Sequence, residues 1–325
     1  MNSHILETQF WRRDFIKGLS ATILTFTASP VLADENLNKI RIGYQKRGPL
    51  FVTKTLGLLE KHFNSANVNV SWYEFISGPP LLEALNAGAI DYGFTGDSPP
   101  IFAQAAHAKI LYVAANPTHG TSQSIIVQKN SSINSVSGLK GKKIGVVKGS
   151  SGHNLLIESL QIANLAWTDI TPVYLSPVDA YEAFIRGSID AWSIWDPYYA
   201  IAEVEMKARS LPIDRQNILI NNFYVANRDF ATKYPETLIR INEELQNATD
   251  WALKHTEETS KILAQASGID ISAERLSVDR AEFTFSKVTQ EILDEQQKVA
   301  DRYFNLSLIP NKINVSDVVW EKARK

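Results

Sequence analysis

The stretch Ser188–Tyr199, which reads SIDAWSIWDPYY, carries the strongest structural signal in the chain. Its apolar run predicts a short buried strand over Ile189–Ile194. Asp196 has the residue type of a helix N-cap, and Pro197 suits the first helical position. A strand that ends in aromatic residues and leads directly into a helix N-terminus indicates a binding site.

Two tryptophans of this stretch are predicted to have different environments. Trp192 and Trp195 are three residues apart, so at strand periodicity they face opposite sides. Both could be core aromatics, but we expect one in the core and one at a cleft. Trp195 is favoured as the cleft residue because it stands at the end of the strand, where ligands bind in open α/β sheets.

The stretch has a counterpart earlier in the chain. Leu82–Pro99 (LEALNAGAIDYGFTGDSP) is similar to Tyr181–Pro197 (YEAFIRGSIDAWSIWDP), and the residues that match lie at a constant offset of 99. The identical pairs are Glu83/Glu182, Ala84/Ala183, Gly88/Gly187, Ile90/Ile189, Asp91/Asp190 and Asp97/Asp196. Common helix–turn–strand chemistry with a glycine C-cap could produce such a match. A second match, of 41–43 (RIG) with 143–145 (KIG), favours two related lobes.

Strands alternate with helices in both halves, which predicts α/β architecture with largely parallel sheets. Strand-like stretches at Ser122–Lys129 and Asn221–Ala226 lie between the lobes and predict a two-strand hinge. Apolar residues at helical spacing dominate from Phe230 onward, and we expect these helices to pack on the first lobe.

These patterns give predicted domain boundaries. The first lobe comprises residues 36–125 and 226–325, and the second comprises residues 126–225.

Composition narrows the function classes. The chain has 325 residues, 44% of them apolar, which is enough for two cores. Its formal net charge of −2 gives no indication of a nucleic-acid surface. The absence of cysteine excludes disulfides, thiolate metal sites, a cysteine nucleophile and a lipid-modified cysteine.

The N-terminal segment predicts export. Arg12 and Arg13 precede a short apolar run over 18–28, and Val31-Leu32-Ala33 resembles a cleavage site. These features resemble a twin-arginine signal peptide over residues 1–33. An ordinary amphipathic helix is the alternative, but the run is too short to span a bilayer. We therefore expect the mature protein outside the cytoplasm, in the periplasm.

Several predicted helix N-termini follow strands and would meet at the cleft. The residues that mark them are Pro49, Pro79, Pro99, Pro197 and the cap candidates Ser150 and Ser151. Each N-terminus presents free N–H groups and a partial positive charge. Several such ends together predict an anion site.

Three polar residues of the cleft are open to more than one interpretation. Asp97 and Asp196 are predicted to be N-caps that orient helix N–H groups, and a carboxylate pair for acid–base chemistry is the alternative. His153 either donates to an anion or only covers the cleft.

Other chemistry has little support in the sequence. Lys46, Arg47 and Lys148 are interpreted as solvated charges on the cleft rim. The chain contains no metal-ligand spacing, P-loop, GxGxxG or GxSxG motif, so neither a cofactor nor an enzyme activity is expected.

Five sequence blocks resemble one family over residues 39–320. They are 42–46 (IGYQK), 78–85 (GPPLLEAL), 95–106 (TGDSPPIFAQAA), 148–156 (KGSSGHNLL) and 194–199 (IWDPYY). They are similar to the periplasmic aliphatic sulfonate-binding proteins of bacterial ABC importers, within the nitrate/sulfonate/taurine substrate-binding family.

The resemblance implies a fold and a set of partners. The fold would be a two-lobed type II periplasmic binding protein with a two-strand hinge and C-terminal helices on the first lobe. The protein would be a monomer that delivers an alkanesulfonate to a membrane permease with its ATPase. Taurine, nitrate or another small anion is the alternative ligand, and an enzyme on the same scaffold is a second alternative.

The resemblance also implies a ligand shell. Its members are Gln45, Gly78, Pro79, Thr95, Gly96, Asp97, Ser150, Ser151, His153, Trp192, Trp195 and Asp196. The chain departs from the family pattern at 47–49 (RGP), at Pro80 in place of Gln, and at Gly152 in place of Ser or Ala.

Overall fold

The computed structural model describes residues 37–215 and 220–324. The predicted signal peptide, residues 1–33, lies outside the described residues. Within the described residues, no helix has both the length and the apolar character needed to cross a membrane.

The first sheet has the strand order β2-β1-β3-β10-β4. Its strands are β1 (Lys39–Tyr44), β2 (Asn69–Glu74), β3 (Tyr92–Thr95), β4 (Ile110–Thr118) and β10 (Ile220–Asn227). β1 pairs in parallel with β2 and β3, and β10 is antiparallel to both β3 and β4.

The second sheet repeats this pattern with the order β7-β6-β8-β5-β9. Its strands are β5 (Gln123–Val127), β6 (Lys143–Val146), β7 (Thr171–Tyr174), β8 (Ala191–Trp195) and β9 (Arg209–Ser210). β6 pairs in parallel with β7 and β8, and β5 is antiparallel to β8 and β9. The repeated order agrees with two related lobes.

The chain passes between the sheets twice, after Thr118 and after Ser210. After the first crossing the chain forms β5, which is antiparallel in the second sheet. After the second crossing it forms β10, which is antiparallel in the first sheet. The predicted boundaries at 125/126 and 225/226 would divide β5 and β10, whereas the whole of β5 belongs to the second sheet and the whole of β10 (Ile220–Asn227) to the first. The reason is pairing along the full strands: β5 pairs with β8 from Gln123 to Val127, and β10 pairs with β4 from Ile220 to Asn227 with one register shift between Tyr224 and Val225.

Helices fill the connections between the strands of each lobe. In the first lobe they are α1 (Gly48–Leu56), α2 (Leu58–Phe63), α3 (Gly78–Asn86) and α4 (Ser98–Ala105). In the second lobe they are α5 (Ser151–Ile162), α6 (Pro177–Ile185) and α7 (Tyr198–Met206). Prolines occupy the first turn of α1, α3, α4 and α6, because the fixed φ angle of proline suits the first turn of a helix.

The C-terminal part is helical. Its helices are α8 (Arg228–Lys233), α9 (Pro235–Lys254), α10 (Thr256–Ser267), α11 (Ile271–Arg280), α12 (Gln290–Asn305) and α13 (Glu321–Arg324). Leu245 on α9 and Val299 on α12 belong to the same buried apolar cluster as Ile42 of β1, which confirms the predicted packing on the first lobe. Sequence periodicity missed α11, because its buried face includes Glu274 and Ser277 rather than an apolar stripe.

Candidate anion-binding cleft

The two lobes meet where β3 ends and α5 begins. A Cβ at Gly96 would lie 2.7 Å from the Cβ of Ser151, so the lobes touch across the cleft at this point. A Cβ at Gly78 would collide with the Thr95 hydroxyl. Glycine at both positions therefore lets the chain segments approach closely. Four of the predicted site residues are thus brought together from both lobes.

Buried donors face this meeting point. The Thr95 side chain is fully buried, and its hydroxyl has no hydrogen-bond partner in the described part of the chain. The first turns of α1, α3 and α4 make no side-chain capping hydrogen bond. Their prolines carry no N–H, so the donors left without a cap are the N–H groups of the other first-turn residues. Pro79 is half-buried in the first turn of α3. This arrangement supplies neutral donors and partial positive charge, as an anion requires.

The second lobe contributes a capped helix start. Ser150 is buried and accepts a hydrogen bond from the backbone N–H of His153, so the prediction of a serine cap is confirmed. The Ser150 hydroxyl donates to the carbonyl of Val147 at 2.7 Å. Ser151, the first residue of α5, is also buried.

Asp97 does not cap its own helix. It occupies the N-cap position of α4, yet its side chain makes no capping hydrogen bond. Its carboxylate accepts instead from the Ser98 hydroxyl at 2.8 Å and from Asn154 Nδ2, across the cleft, at 2.7 Å. The predicted N-cap role is therefore wrong, because the carboxylate accepts from Asn154 of the other lobe and not from the N–H groups of α4. Burial raises the pKa of Asp97 to about 7.

Asp196 is also displaced from the predicted N-cap position. Its backbone N–H donates to the carbonyl of Ser122, so strand pairing continues through this residue and α7 begins only at Tyr198. Pro197, predicted at the first helical position, is the N-cap residue. Asp196 Oδ1 still accepts from the N–H of Ala200 at 3.0 Å, and Oδ2 lies 3.3 Å from Arg280 Nε. Burial raises the pKa of Asp196 to about 7.

His153 lies in a closed aromatic environment. Its side chain is fully buried, and Nδ1 accepts from the backbone N–H of Gly149 at 3.2 Å. The rings of Trp167, Tyr174 and Tyr303 have centroids 5.0 to 5.8 Å from the imidazole centroid. Burial lowers the pKa of His153 to about 4, so the imidazole is neutral at pH 7. The ring thus fixes the turn that precedes α5.

The remaining predicted site residues are buried. Trp192 is fully buried among the rings of Tyr181, Phe184 and Tyr198, and this is a core environment. Trp195 is 3% exposed at the end of β8. Gln45, at the end of β1, donates from Nε2 to the carbonyl of Phe94 at 3.2 Å.

Arg47 was interpreted as a solvated rim charge, and the structure places it, half-buried, against a cavity. Its side chain lines a cavity on the hinge side of the cleft, together with Asn116, Asp196 and Asn222. Burial lowers the pKa of Arg47 to about 10. Sequence reasoning missed this role because the residue that packs over Arg47 belongs to β10, about 175 positions later. By contrast, Lys46 does pair at the surface, with Glu74 at 3.3 Å.

In the described ranges, no group of three His, Cys, Asp or Glu residues is arranged to hold a metal ion.

Two α/β lobes with matched five-stranded sheets, joined by two crossings and flanked by C-terminal helices, define the type II periplasmic-binding-protein fold. Comparison with family models places residues 49–259 in the NMT1/THI5-like family, and the chain belongs to that family.

Individual relatives agree with this assignment. An Escherichia coli K12 protein named as an aliphatic sulfonates-binding protein is 38% identical over 96% of this chain and 98% of its own length. The alkanesulfonate-binding protein SsuA of Xanthomonas axonopodis pv. citri, solved with MOPS bound, is 36% identical. It superposes with a TM-score of 0.82 over 87% of this chain and 98% of its own. The periplasmic aliphatic sulphonate binding protein SsuA of Escherichia coli has a TM-score of 0.79 at 38% identity, over 87% of this chain and 92% of its own. These relatives are binding proteins rather than enzymes.

Proposed function

We propose that this protein is the extracytoplasmic solute-binding component of an ABC importer and that it captures aliphatic sulfonates in the interlobe cleft. The observation that carries the proposal is the buried, unpartnered hydroxyl of Thr95, placed where Gly96 meets Ser151 of the other lobe. The names of the relatives, which specify aliphatic sulfonates, support the ligand class.

The chemistry of a sulfonate suits these donors. A sulfonate is a permanent anion with three acceptor oxygens, so it matches hydroxyl and N–H donors and offers them no proton. Uncapped helix N-termini add favourable partial charge. The carboxylates of Asp97 and Asp196 are engaged by Asn154, Ala200 and Arg280, so they already have partners of their own.

Calorimetry of the purified protein tests the ligand class. We expect measurable heats with short alkanesulfonates and weaker or no heats with sulfate. If the protein instead prefers taurine or nitrate, the role as a solute-binding protein stands and the proposed ligand is wrong. A folded protein that gives no heat with any sulfonate would refute the proposal.

A pair of variants tests the proposed donor. Thr95→Val keeps the shape and removes the hydroxyl, and we expect about a tenfold loss of sulfonate affinity. Ser159→Ala is the matched control, because Ser159 also has a buried hydroxyl without a partner among the described residues. It lies on α5, two turns after Ser151. Equal affinities of Thr95→Val and wild type would contradict the role of Thr95.

The proposal further holds that the protein binds without turning over its ligand, acts as a monomer and docks on a membrane permease with its ATPase. His153→Asn discriminates binding from catalysis: a binding protein loses affinity at most, whereas an enzyme loses product formation. Incubation of wild type with a sulfonate and chromatography of the mixture would reveal any turnover.

Export through the twin-arginine route to the periplasm is also part of the proposal. Its basis is the pair Arg12 and Arg13 before an apolar run, together with the periplasmic location in the name of the Escherichia coli relative. Replacement of both arginines by lysine should retain the protein in the cytoplasm. Unchanged export of that variant would exclude this route.

A further inference from the structure

Asp97 places a buried carboxyl group at the proposed anion site, where it is only 1% exposed. Gly96, the residue before it, meets Ser151 of the other lobe. The carboxylate itself accepts from Asn154, one turn further along α5. The carboxylate and the proposed anion therefore share the first turns of α4 and α5. Two negative charges at the same helix N-termini repel each other, and burial strengthens the repulsion.

The immediate neighbours of Asp97 do not neutralise its charge. The hydrogen bonds to its carboxylate come from the Ser98 hydroxyl and the Asn154 amide, and both groups are neutral. Arg302 of α12 reaches this cluster, but it donates to the oxygen of Asn154 and pairs with Glu158 at 3.0 Å. The charge of Glu158 adds to burial in raising the pKa of Asp97. A buried carboxylate in such surroundings is costly.

The groups that face Asp97 from other elements leave this balance unchanged. Tyr112 of β4 and Tyr303 of α12 have pKa values raised by burial, so they are neutral at neutral pH. The charge of Asp97 also acts on the pKa of Arg47, but less than the charge of Asp196 does. Asp196 has an arginine of α11 as its own counter-charge, at 3.3 Å. Of the two cleft carboxyls, Asp97 is therefore the less compensated one.

The neutral form of Asp97 has a hydrogen-bond acceptor in place. Ser98 Oγ lies 2.8 Å from Asp97 Oδ1, and the Tyr303 hydroxyl donates to Ser98 Oγ at 2.8 Å. A hydroxyl oxygen has two acceptor lone pairs, so Ser98 Oγ can accept from Tyr303 and also from a protonated Oδ1. Oδ2 can accept from Asn154 in either state. Burial raises the pKa of Asp97 to about 7, so both forms are populated near neutral pH.

We propose that the cleft takes up a proton on Asp97 together with the sulfonate. The inference rests on the proposed function, because the charge of the bound sulfonate is what favours the neutral carboxyl. The proton comes from the solvent, since a sulfonate has none to give. The cleft then holds one permanent anion beside one neutral acid. By linkage, sulfonate affinity must fall as the pH rises and Asp97 ionises in the free protein.

Calorimetric titration of the wild-type protein with ethanesulfonate measures the proton uptake. The titration is made at pH 7.5 in Tris and in triethanolamine, because the two buffers release protons with different enthalpies. Sulfonate buffers such as HEPES are avoided, since they could occupy the cleft. For a tenfold rise in the proton affinity of Asp97, we expect uptake of about half a proton per ligand and about sevenfold tighter binding at pH 6 than at pH 8.5.

The outcome separates this inference from the proposed function. Ethanesulfonate binding without proton uptake would overturn the inference and leave the proposed function standing. Absence of ethanesulfonate binding at every pH, in a folded protein, would instead refute the proposed function.

Two variants assign the proton to Asp97. Asp97→Asn imitates the neutral carboxyl, so at pH 8.5 it should bind ethanesulfonate at least as tightly as wild type, and its proton uptake at pH 7.5 should fall below about half of the wild-type value. Glu274→Gln is the matched control and should keep the wild-type uptake. Glu274 is also buried, with its pKa raised by burial to about 7, but it lies on α11 beside Ser267. Unchanged uptake in Asp97→Asn would overturn the inference. If Asp97→Asn does not fold, the wild-type measurement alone decides.

Discussion

Replacement of Asp97 by asparagine is expected to remove a large part of the pH dependence of stability. The carboxylate is buried between the lobes and is held by Ser98 and Asn154. An asparagine oxygen can keep the hydrogen bond from Asn154, and its NH₂ group would face the Ser98 oxygen, which has free acceptor capacity. The substitution therefore preserves the shape and the contacts while it removes the ionisation.

The magnitude follows from linkage. The pKa of Asp97 is raised from 3.8 to about 7 in the folded protein. Between these values the folded state binds one proton more than the unfolded state, so the free energy of unfolding falls by about 1.4 kcal/mol per pH unit as the pH rises. The stability is present in full below about pH 4 and is lost as the pH rises to about 7. Over pH 5 to 8, wild type should lose about 3 kcal/mol more than Asp97→Asn.

Urea unfolding at pH 5, 6, 7 and 8 measures this difference. Asp196 contributes a similar loss, but it contributes equally to both proteins and cancels in the comparison. Asp190→Asn is the control: it removes an exposed carboxyl, and the loss of stability attributed to Asp97 should persist in this variant. Parallel stability curves for wild type and Asp97→Asn would refute the argument.

Three further outcomes are expected. Gly96→Ala should weaken sulfonate binding about tenfold, as measured by calorimetry, because its Cβ would lie 2.7 Å from that of Ser151; unchanged affinity would show that the lobes need not touch there. Arg302→Met removes hydrogen bonds to two residues of α5 and leaves Glu158 buried without its ion pair, so urea unfolding should show a loss of about 3 kcal/mol. His153 should stay neutral above pH 5 in an NMR titration of its ring protons, since its pKa is about 4; a midpoint near 6.5 would contradict the closed aromatic environment.

The sequence predicted the lobes and the helix starts well, because those features are encoded locally. The strand predicted at Lys39–Tyr44 is β1, and prolines mark the first turns of helices in both lobes. The repeat with an offset of 99 residues corresponds to two sheets of the same strand order. Hydrophobic periodicity and turn chemistry depend only on neighbouring residues, so one sequence is sufficient to detect them.

The sequence could not predict which partner each polar side chain would find. Asp97 looks like an N-cap by residue type, but its partner Asn154 is 57 positions away on another lobe. Arg47 looks like a surface charge, but β4, β10 and the segment after α11 line the same cavity as it does. Such contacts are tertiary, and no periodic pattern records them.

The repeat also hides an asymmetry that comes from the C-terminal helices. Asp97 and Asp196 are equivalent in the repeat, yet Gln296 of α12 donates to the carbonyl of Asp97, whereas Arg280 of α11 lies beside the carboxylate of Asp196. Arg302, also on α12, reaches the second lobe through Asn154 and Glu158. The C-terminal helices pack on the first lobe but also bond to the second. A movement of the lobes that separates Arg302 from Asn154 and Glu158 would break these contacts. Two lobes with the same strand order thereby have different electrostatic environments on the two sides of one cleft.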